Sequence, residues 1–222
     1  MPQPHDFYPQ NLSVSEIANP YMVANTFFHE YDLAYVKRTI ASWMAAVYKA
    51  ASWNHESPGN LVYFLERLFR LIEAGWLINQ MDNSERLANL RLQYPEGEID
   101  MMNPALYCKF VHKDYPWDYF PRNLTRKEFI TPYKVFPKFF QFRTLSEWKE
   151  ELHNILHIAL TGDNMEATGD VIDVLAFKKH LDKLADACHL ISVREFEWSN
   201  GEIIVKTINT INNEGENTTE KN

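Results

Sequence analysis

The stretch PGNLVYFLERLFRLIEAGWLINQ, residues 58–80, decides how the rest of the chain reads. At about 100° per residue, Leu61, Phe64, Leu65, Leu68, Leu71, Ile72, Gly75, Trp76 and Ile78 share one broad arc of a helix, and Val62 and Phe69 widen it. An arc that wide needs more than one neighbour, so the pattern predicts a central helix packed on several sides. Glu66, Arg67, Arg70 and Glu73 form its only charged strip, with Glu66 and Arg70 spaced i,i+4, and this strip is expected to face water. Ser57 suits the N-cap, and Pro58 suits the first turn, where its missing N–H is not needed.

Working upstream, Leu33, Val36, Ile40, Trp43, Met44, Val47 and Ala51 form a second clean helical stripe, with Asp32 as its cap. The short linker 52–57 predicts that this helix and the central one are antiparallel neighbours. Ala24, Phe27, Phe28 and Tyr31 lie on the inner side of a helix opened by Asn19 and Pro20, and the Ser13 to Glu16 spacing is a capping box for a short turn. Residues 1–12 are Pro-rich and polar and are expected to be flexible.

Downstream, residues 82–92 read as a shorter helix, 94–97 as a turn, and Asn103-Pro104 as another helix start. The prolines at 116, 121, 132 and 137 predict irregular chain over 113–143, with one turn after the capping box Thr125 to Glu128. The box Thr144 to Glu147 opens a helix to about Leu160, stopped at Gly162. A further helix from about Asp170 to Ile191 buries Val174, Phe177, Leu181, Leu184, Ala185, Cys188 and Ile191, and the two are expected to form a helical hairpin. The period then changes to two. Asn200-Gly201 predicts a tight turn between strands 194–199 and 202–208, with Phe196 and Trp198 opposite Val205 and Ile203 on a face packed against the helices. The polar residues 212–222 have nothing to bury and are expected to be disordered. The fold class is therefore mainly α: an irregular bundle of about six helices over 13–211, in one domain, with a C-terminal β-hairpin.

With 222 residues, 45% hydrophobic and 23% charged, the chain suffices for one sizeable core. Its net charge of −8 argues against a surface made wholly for nucleic acid or anionic membrane. Cys108 and Cys188 make no disulfide framework, the N-terminal residues lack a signal-peptide pattern, and no apolar run reaches the roughly 18 residues of a membrane span. A cytoplasmic protein without membrane association is expected.

Chemistry is sparsely marked. There is no Gly-rich phosphate loop, HExxH pair or GxSxG elbow, which argues against enzymes built on those motifs but not against one with scattered site residues. Glu150, His153 and His157 have the spacing of helix-borne metal ligands, as do Asp186 and His189 on the next helix. The first three point away from the Trp148, Leu152 and Ile155 stripe, so solvated side chains are expected there, with a surface or interface zinc as the alternative; no cofactor is called for. Cys108 and His112 fall one turn apart if Asn103-Pro104 starts a helix, yet no third group orients them, and a buried small thiol is the expectation.

The most distinctive composition lies in residues 107–143, which hold 12 aromatic residues and a charge of +5, leaving −13 for the remainder. Rings interleaved with cations suit an anion or single-stranded nucleic acid, with Trp117, Tyr119, Arg122, Arg126 and Lys127 as the candidate binding residues. They equally suit a long irregular segment that buries its rings on a helical core, and on that favoured view Trp117 and Phe120 pack against the helices. The leading expectation is a non-catalytic interaction or structural protein. Its partner would be another protein or a second copy, met through the hairpin at 194–208. The anion or nucleic-acid binder through 107–143 comes next, and a metal-dependent helical protein third.

Overall fold

The computed structural model describes residues 8–84, 86–87, 99–109, 116–163, 173–199 and 202–206. Among these residues the α-helices are α1 Val14–Ala18, α2 Tyr21–Glu30, α3 Leu33–Tyr48, α4 Pro58–Gln80, α5 Arg126–Ile130, α6 Val135–Phe142, α7 Leu145–Thr161 and α8 Val174–Glu195. One antiparallel hairpin follows, β1 Phe196–Ser199 and β2 Glu202–Val205. The class is mainly α with a C-terminal hairpin, as expected.

Local chemistry sets the helix starts. The capping boxes at Ser13, Thr125 and Thr144 are all formed, and the side chains of Asp32, Ser57 and Asp173 each accept a first-turn N–H. Gly162 ends α7 in the left-handed conformation at φ 73°, which glycine adopts at little cost. α6 lies inside the segment expected to be irregular. It tolerates Pro137 because that residue is in the first turn, where no intrahelical N–H is needed. Residues 104–106, expected to open a helix, make a single 3-10 turn. Of the helix expected over 82–92, residues 82–84, 86 and 87 are turn, bend or irregular chain, and the others lie outside the described residues, as do the turns at 94–97 and 200–201 and the tail 212–222.

Packing revises two of the neighbour relations. α3 lies chiefly on α8 and α7, whereas α4 is flanked by α2, α7 and α6, so the short linker after α3 does not make α3 and α4 the main partners. α7 and α8 form no close hairpin along their length. The α6 ring Phe142 sits against both Trp148 of α7 and Phe177 of α8, at 5.8 Å from each. Trp148 is fully buried, stacked on Phe139 at 4.1 Å, and donates its indole N–H to the Phe139 carbonyl at 3.2 Å.

α4 is largely enclosed, but α8 is the more central helix. From Leu184 through Phe196 every residue is buried, because one side of α8 faces the main core and Leu190 faces a second cluster made with Ile99, Leu106, Tyr107, Cys108 and Phe129. The charged strip of α4 is also used internally. Arg67 pairs with Glu30 at 3.1 Å, and Arg70 pairs with Glu16. Glu73, expected in water, is fully buried: its carboxylate accepts the backbone N–H groups of Gln10 and Asn11 at 2.9 and 2.8 Å and pairs with Lys149 of α7. A buried carboxylate persists only with such partners, and here they hold residues 10 and 11 on the bundle.

β1 continues α8 directly, in the predicted register, with Phe196 opposite Val205 and Trp198 opposite Ile203. Phe196 is buried; Val205, expected to pack beside it, is 41% exposed, as Ile204 is at 38%. No helix among the described residues is long and apolar enough to cross a membrane.

Candidate functional site

The aromatic, basic segment does not act as one surface. Trp117 is 53% exposed, contrary to the expectation that it packs against the helices. Among the described residues its ring meets the Phe120 ring at 5.6 Å, while Phe120 turns inward onto Tyr107 and Phe129. The 3-10 turn Pro116–Tyr119 is too short to press both rings inward at once. Arg122 is exposed and donates to the Trp117 carbonyl at 3.1 Å, and Arg126 and Lys127 are exposed on the first turn of α5. Part of the segment's positive charge is used internally, since Lys138 pairs with Glu128 and Arg143 with Glu151. Of the five candidate binding residues, Tyr119 lines the cavity between α2 and the end of α8.

That cavity, of about 480 Å³, lies between the C-terminal half of α2, the irregular stretch at Cys108 and Lys109, the turn at Tyr119, and the end of α8 with β1 and Lys206. Its size is that of a small-molecule site. Phe28, Tyr31, Tyr119, Val193 and Phe196 supply apolar wall, and Asn25, His29, Asp32, Lys109, His189, Glu197 and Lys206 supply polar groups. α2 presents Asn25, Phe28 and His29 together because they are three and four residues apart; α8 does the same with His189 and Val193.

Asn25 is buried, and its Oδ1 accepts from Lys109 Nζ at 2.8 Å and from Ser192 Oγ at 3.0 Å. Lys206 donates to the Val193 carbonyl at 2.7 Å. Burial, helped by the charge of Lys206, lowers the Lys109 ammonium to about 8, and burial lowers Lys206 as well. Lys109 is nonetheless exposed and Lys206 half-buried, and the charges of Glu197 and Glu195 act on Lys206 against burial, so the cavity brings two ammonium groups together with a carboxylate on its rim.

His189 is 4% exposed, with the Phe28 ring edge-on at 5.1 Å and the Tyr119 ring at 6.3 Å. Its Nε2 lies 2.8 Å from the Tyr107 carbonyl, which can only accept, so Nε2 carries the proton. Burial holds the imidazole neutral, at a pKa of about 3. Nδ1 is therefore a bare acceptor, and it has no hydrogen-bond partner among the described residues. One turn earlier, Asp186 is fully buried. Burial raises its carboxyl pKa despite Lys37 at 2.5 Å, and Asn123 donates to it through its backbone and side-chain nitrogens at 3.0 and 3.1 Å.

Cys108 lines the same cavity as a buried thiol; His112 lies outside the described residues. Glu150, His153 and His157 are exposed on α7, where His153 Nδ1 donates back to the Lys149 carbonyl at 2.8 Å. Among the described residues no three His, Cys, Asp or Glu side chains are grouped to hold a metal ion.

Most of the site was missed in the sequence because its pieces come from three distant segments. The available signal was polar residues on inward positions: Asn25 on the buried side of α2, and His189 and Ser192 within the apolar end of α8. No family model, curated protein or solved structure matches the chain.

Proposed function

We propose that this protein is a non-catalytic binding protein whose ligand is a small organic anion with a cyclic or aromatic body, held in the cavity between α2 and the end of α8. The observation that carries this reading is Lys109. Among the described residues its hydrogen-bond partner is the neutral Asn25 Oδ1 and no carboxylate pairs with it, although it lines the cavity beside a second lysine whose charge acts against its own. An anion between Lys109 and Lys206 relieves that repulsion, and the aromatic walls cover the ligand's body. This keeps the anion half of the expectation for residues 107–143, moved from the exposed Trp117, Arg122, Arg126 and Lys127 to Lys109 and Tyr119. A cavity of about 480 Å³ suits one small molecule better than a strand of nucleic acid.

The test is calorimetric titration with benzoate and ring-substituted benzoates. Lys109→Met and Lys206→Met should each weaken binding about tenfold, equivalent to ~1.4 kcal/mol. Affinity should also fall as pH rises through about 8, where Lys109 loses its proton. Affinities unchanged in both variants would refute the reading. Oligothymidine binding that falls steeply with salt and is lost in an Arg126→Ala, Lys127→Ala variant would favour the strand-binding alternative.

A protein-contact reading is favoured by one further feature, the exposed Ile204 and Val205 on β2. If the hairpin joins two copies, Ile204→Lys should shift the sedimentation of the folded protein from dimer to monomer.

A further inference from the structure

The cavity between α2 and the end of α8 carries charge of both signs. Lys109 and Lys206 line it, and so do Asp32 and Glu197, whose carboxylates are both on exposed residues. Neither carboxylate forms an ion pair among the described residues. Asp32 caps α3 and accepts the Tyr35 N–H at 2.6 Å, and Glu197 acts electrostatically on Lys206 without pairing with it.

The positive and negative ends are set apart along α2. The Lys109 ammonium is held at Asn25 Oδ1, five residues before the helix ends at Glu30, which is ~7.5 Å along the axis at ~1.5 Å per residue. Asp32 lies beyond that end, after the extended residue Tyr31. Phe28 and Tyr31 occupy the interval and offer apolar wall. A simple monoanion on the lysines would turn its uncharged far side toward these carboxylates, whose charge repels it. A cation at that far side makes partners of the same two groups.

On the reading that an organic anion occupies this cavity, we infer that the ligand is a zwitterion: a cyclic acid whose acidic group meets Lys109 and Lys206 and whose ammonium lies at the rim facing Asp32 and Glu197. The two charges belong on opposite sides of the ring, because the ends of the cavity are too far apart for the adjacent charges of an α-amino acid. A benzene ring with para substituents has the reach.

The experiment titrates 4-(aminomethyl)benzoate and 4-methylbenzoate, which share the ring and carboxylate and differ in the ammonium, into the wild-type protein and an Asp32→Asn, Glu197→Gln double variant. Asparagine caps a helix as well as aspartate does, and residue 197 is exposed, so the pair is chosen to keep the fold. By calorimetry the wild type should bind the aminomethyl acid about fivefold more tightly than the methyl acid, the scale of one partly exposed ion pair. In the variant the aminomethyl acid should weaken and the methyl acid strengthen, erasing the preference. If the methyl acid binds the wild type as tightly or more tightly, this inference falls while the anion reading stands. If neither acid binds, both fall. A preference that survives in the folded variant puts the ammonium elsewhere and overturns the inference. Should the variant not fold, the carboxyl ¹³C resonances of Asp32 and Glu197 in the wild type decide. Movement with the aminomethyl acid alone supports the assignment; movement with both acids, or with neither, defeats it.

Discussion

Held neutral at a pKa of about 3, against an ordinary value of 6.5, His189 makes the native protein a poorer proton acceptor than its unfolded chain between those two pH values. The unfolded state therefore binds more protons in that window, and stability falls as pH falls, approaching about 1.4 kcal/mol per pH unit well below 6.5. Glu128 adds a lower window. Burial pushes its carboxyl up, but bonds from Thr125, Lys138 and Lys183 outweigh burial and hold it at about 2. Its contribution is full above 4.5 and is lost as pH drops toward 2. Urea midpoints at pH 7, 6 and 5 should decline in the wild type and decline less in His189→Gln, which keeps an N–H for the Tyr107 carbonyl. Parallel curves would mean that His189 titrates normally.

Elements are joined at a few buried polar points, and Glu73 is the clearest. It ties Gln10 and Asn11 to α4 and, through Lys149, to α7. Glu73→Ala leaves a half-buried ammonium and two backbone N–H groups unpartnered, and should cost about 3–5 kcal/mol in urea unfolding. A double Glu73→Met, Lys149→Met variant should recover part of that loss; if it unfolds as easily as Glu73→Ala, the pair is not what stabilises the junction. Tryptophans separate the two kinds of aromatic surface in the same way. Trp148→Ala, from the α7 stack on Phe139, should lose about 3–5 kcal/mol, while the exposed Trp117→Ala should lose under about 1 kcal/mol. A large loss at Trp117 in thermal melts would contradict its exposed position.

Helix starts were legible because they depend on neighbours within four residues: three capping boxes and the caps at Asp32 and Ser57 could be read directly. The relative depth of the helices was not. α4 announces itself with leucines and phenylalanines, whereas the deepest stretch of α8 contains Asp186, His189, Ser192, Arg194 and Glu195, polar residues spread all round the helical wheel that a reading of apolar periodicity passes over. They are buried because distant groups satisfy them. Arg194, for example, donates from Nε to the Leu106 carbonyl at 2.9 Å and from Nη1 to the Phe129 carbonyl at 2.5 Å, and lies over the Phe129 ring. Periodicity reports where apolar side chains are; it does not report which polar ones have found a partner.

Across the whole molecule the candidate site is a product of long-range assembly. Lys109 meets Asn25 across 84 residues of chain, Ser192 meets Asn25 across 167, and His189 meets Tyr107 across 82. Nothing in local spacing encodes such meetings, so Tyr119 was the only site residue already singled out for binding. Because the cavity exists only when these segments are together, a ligand there binds the native state alone. At a concentration of 100 times its Kd it should add about 2.7 kcal/mol to stability, read as a rise in Tm that Lys109→Met diminishes. Ligand that binds without raising Tm would have to sit elsewhere.

The continuous burial of α8 from Leu184 through Phe196, with β1 following without a loop, also sets the order in which the molecule opens. The amides of that stretch are reached by solvent only after neighbours on all sides have let go. Their deuterium uptake should be the slowest in the chain and should track global unfolding, well behind uptake at the exposed first turn of α5. His189, Val193 and Phe196 thus belong to the last part to loosen. The wall they form would be standing before a ligand arrives.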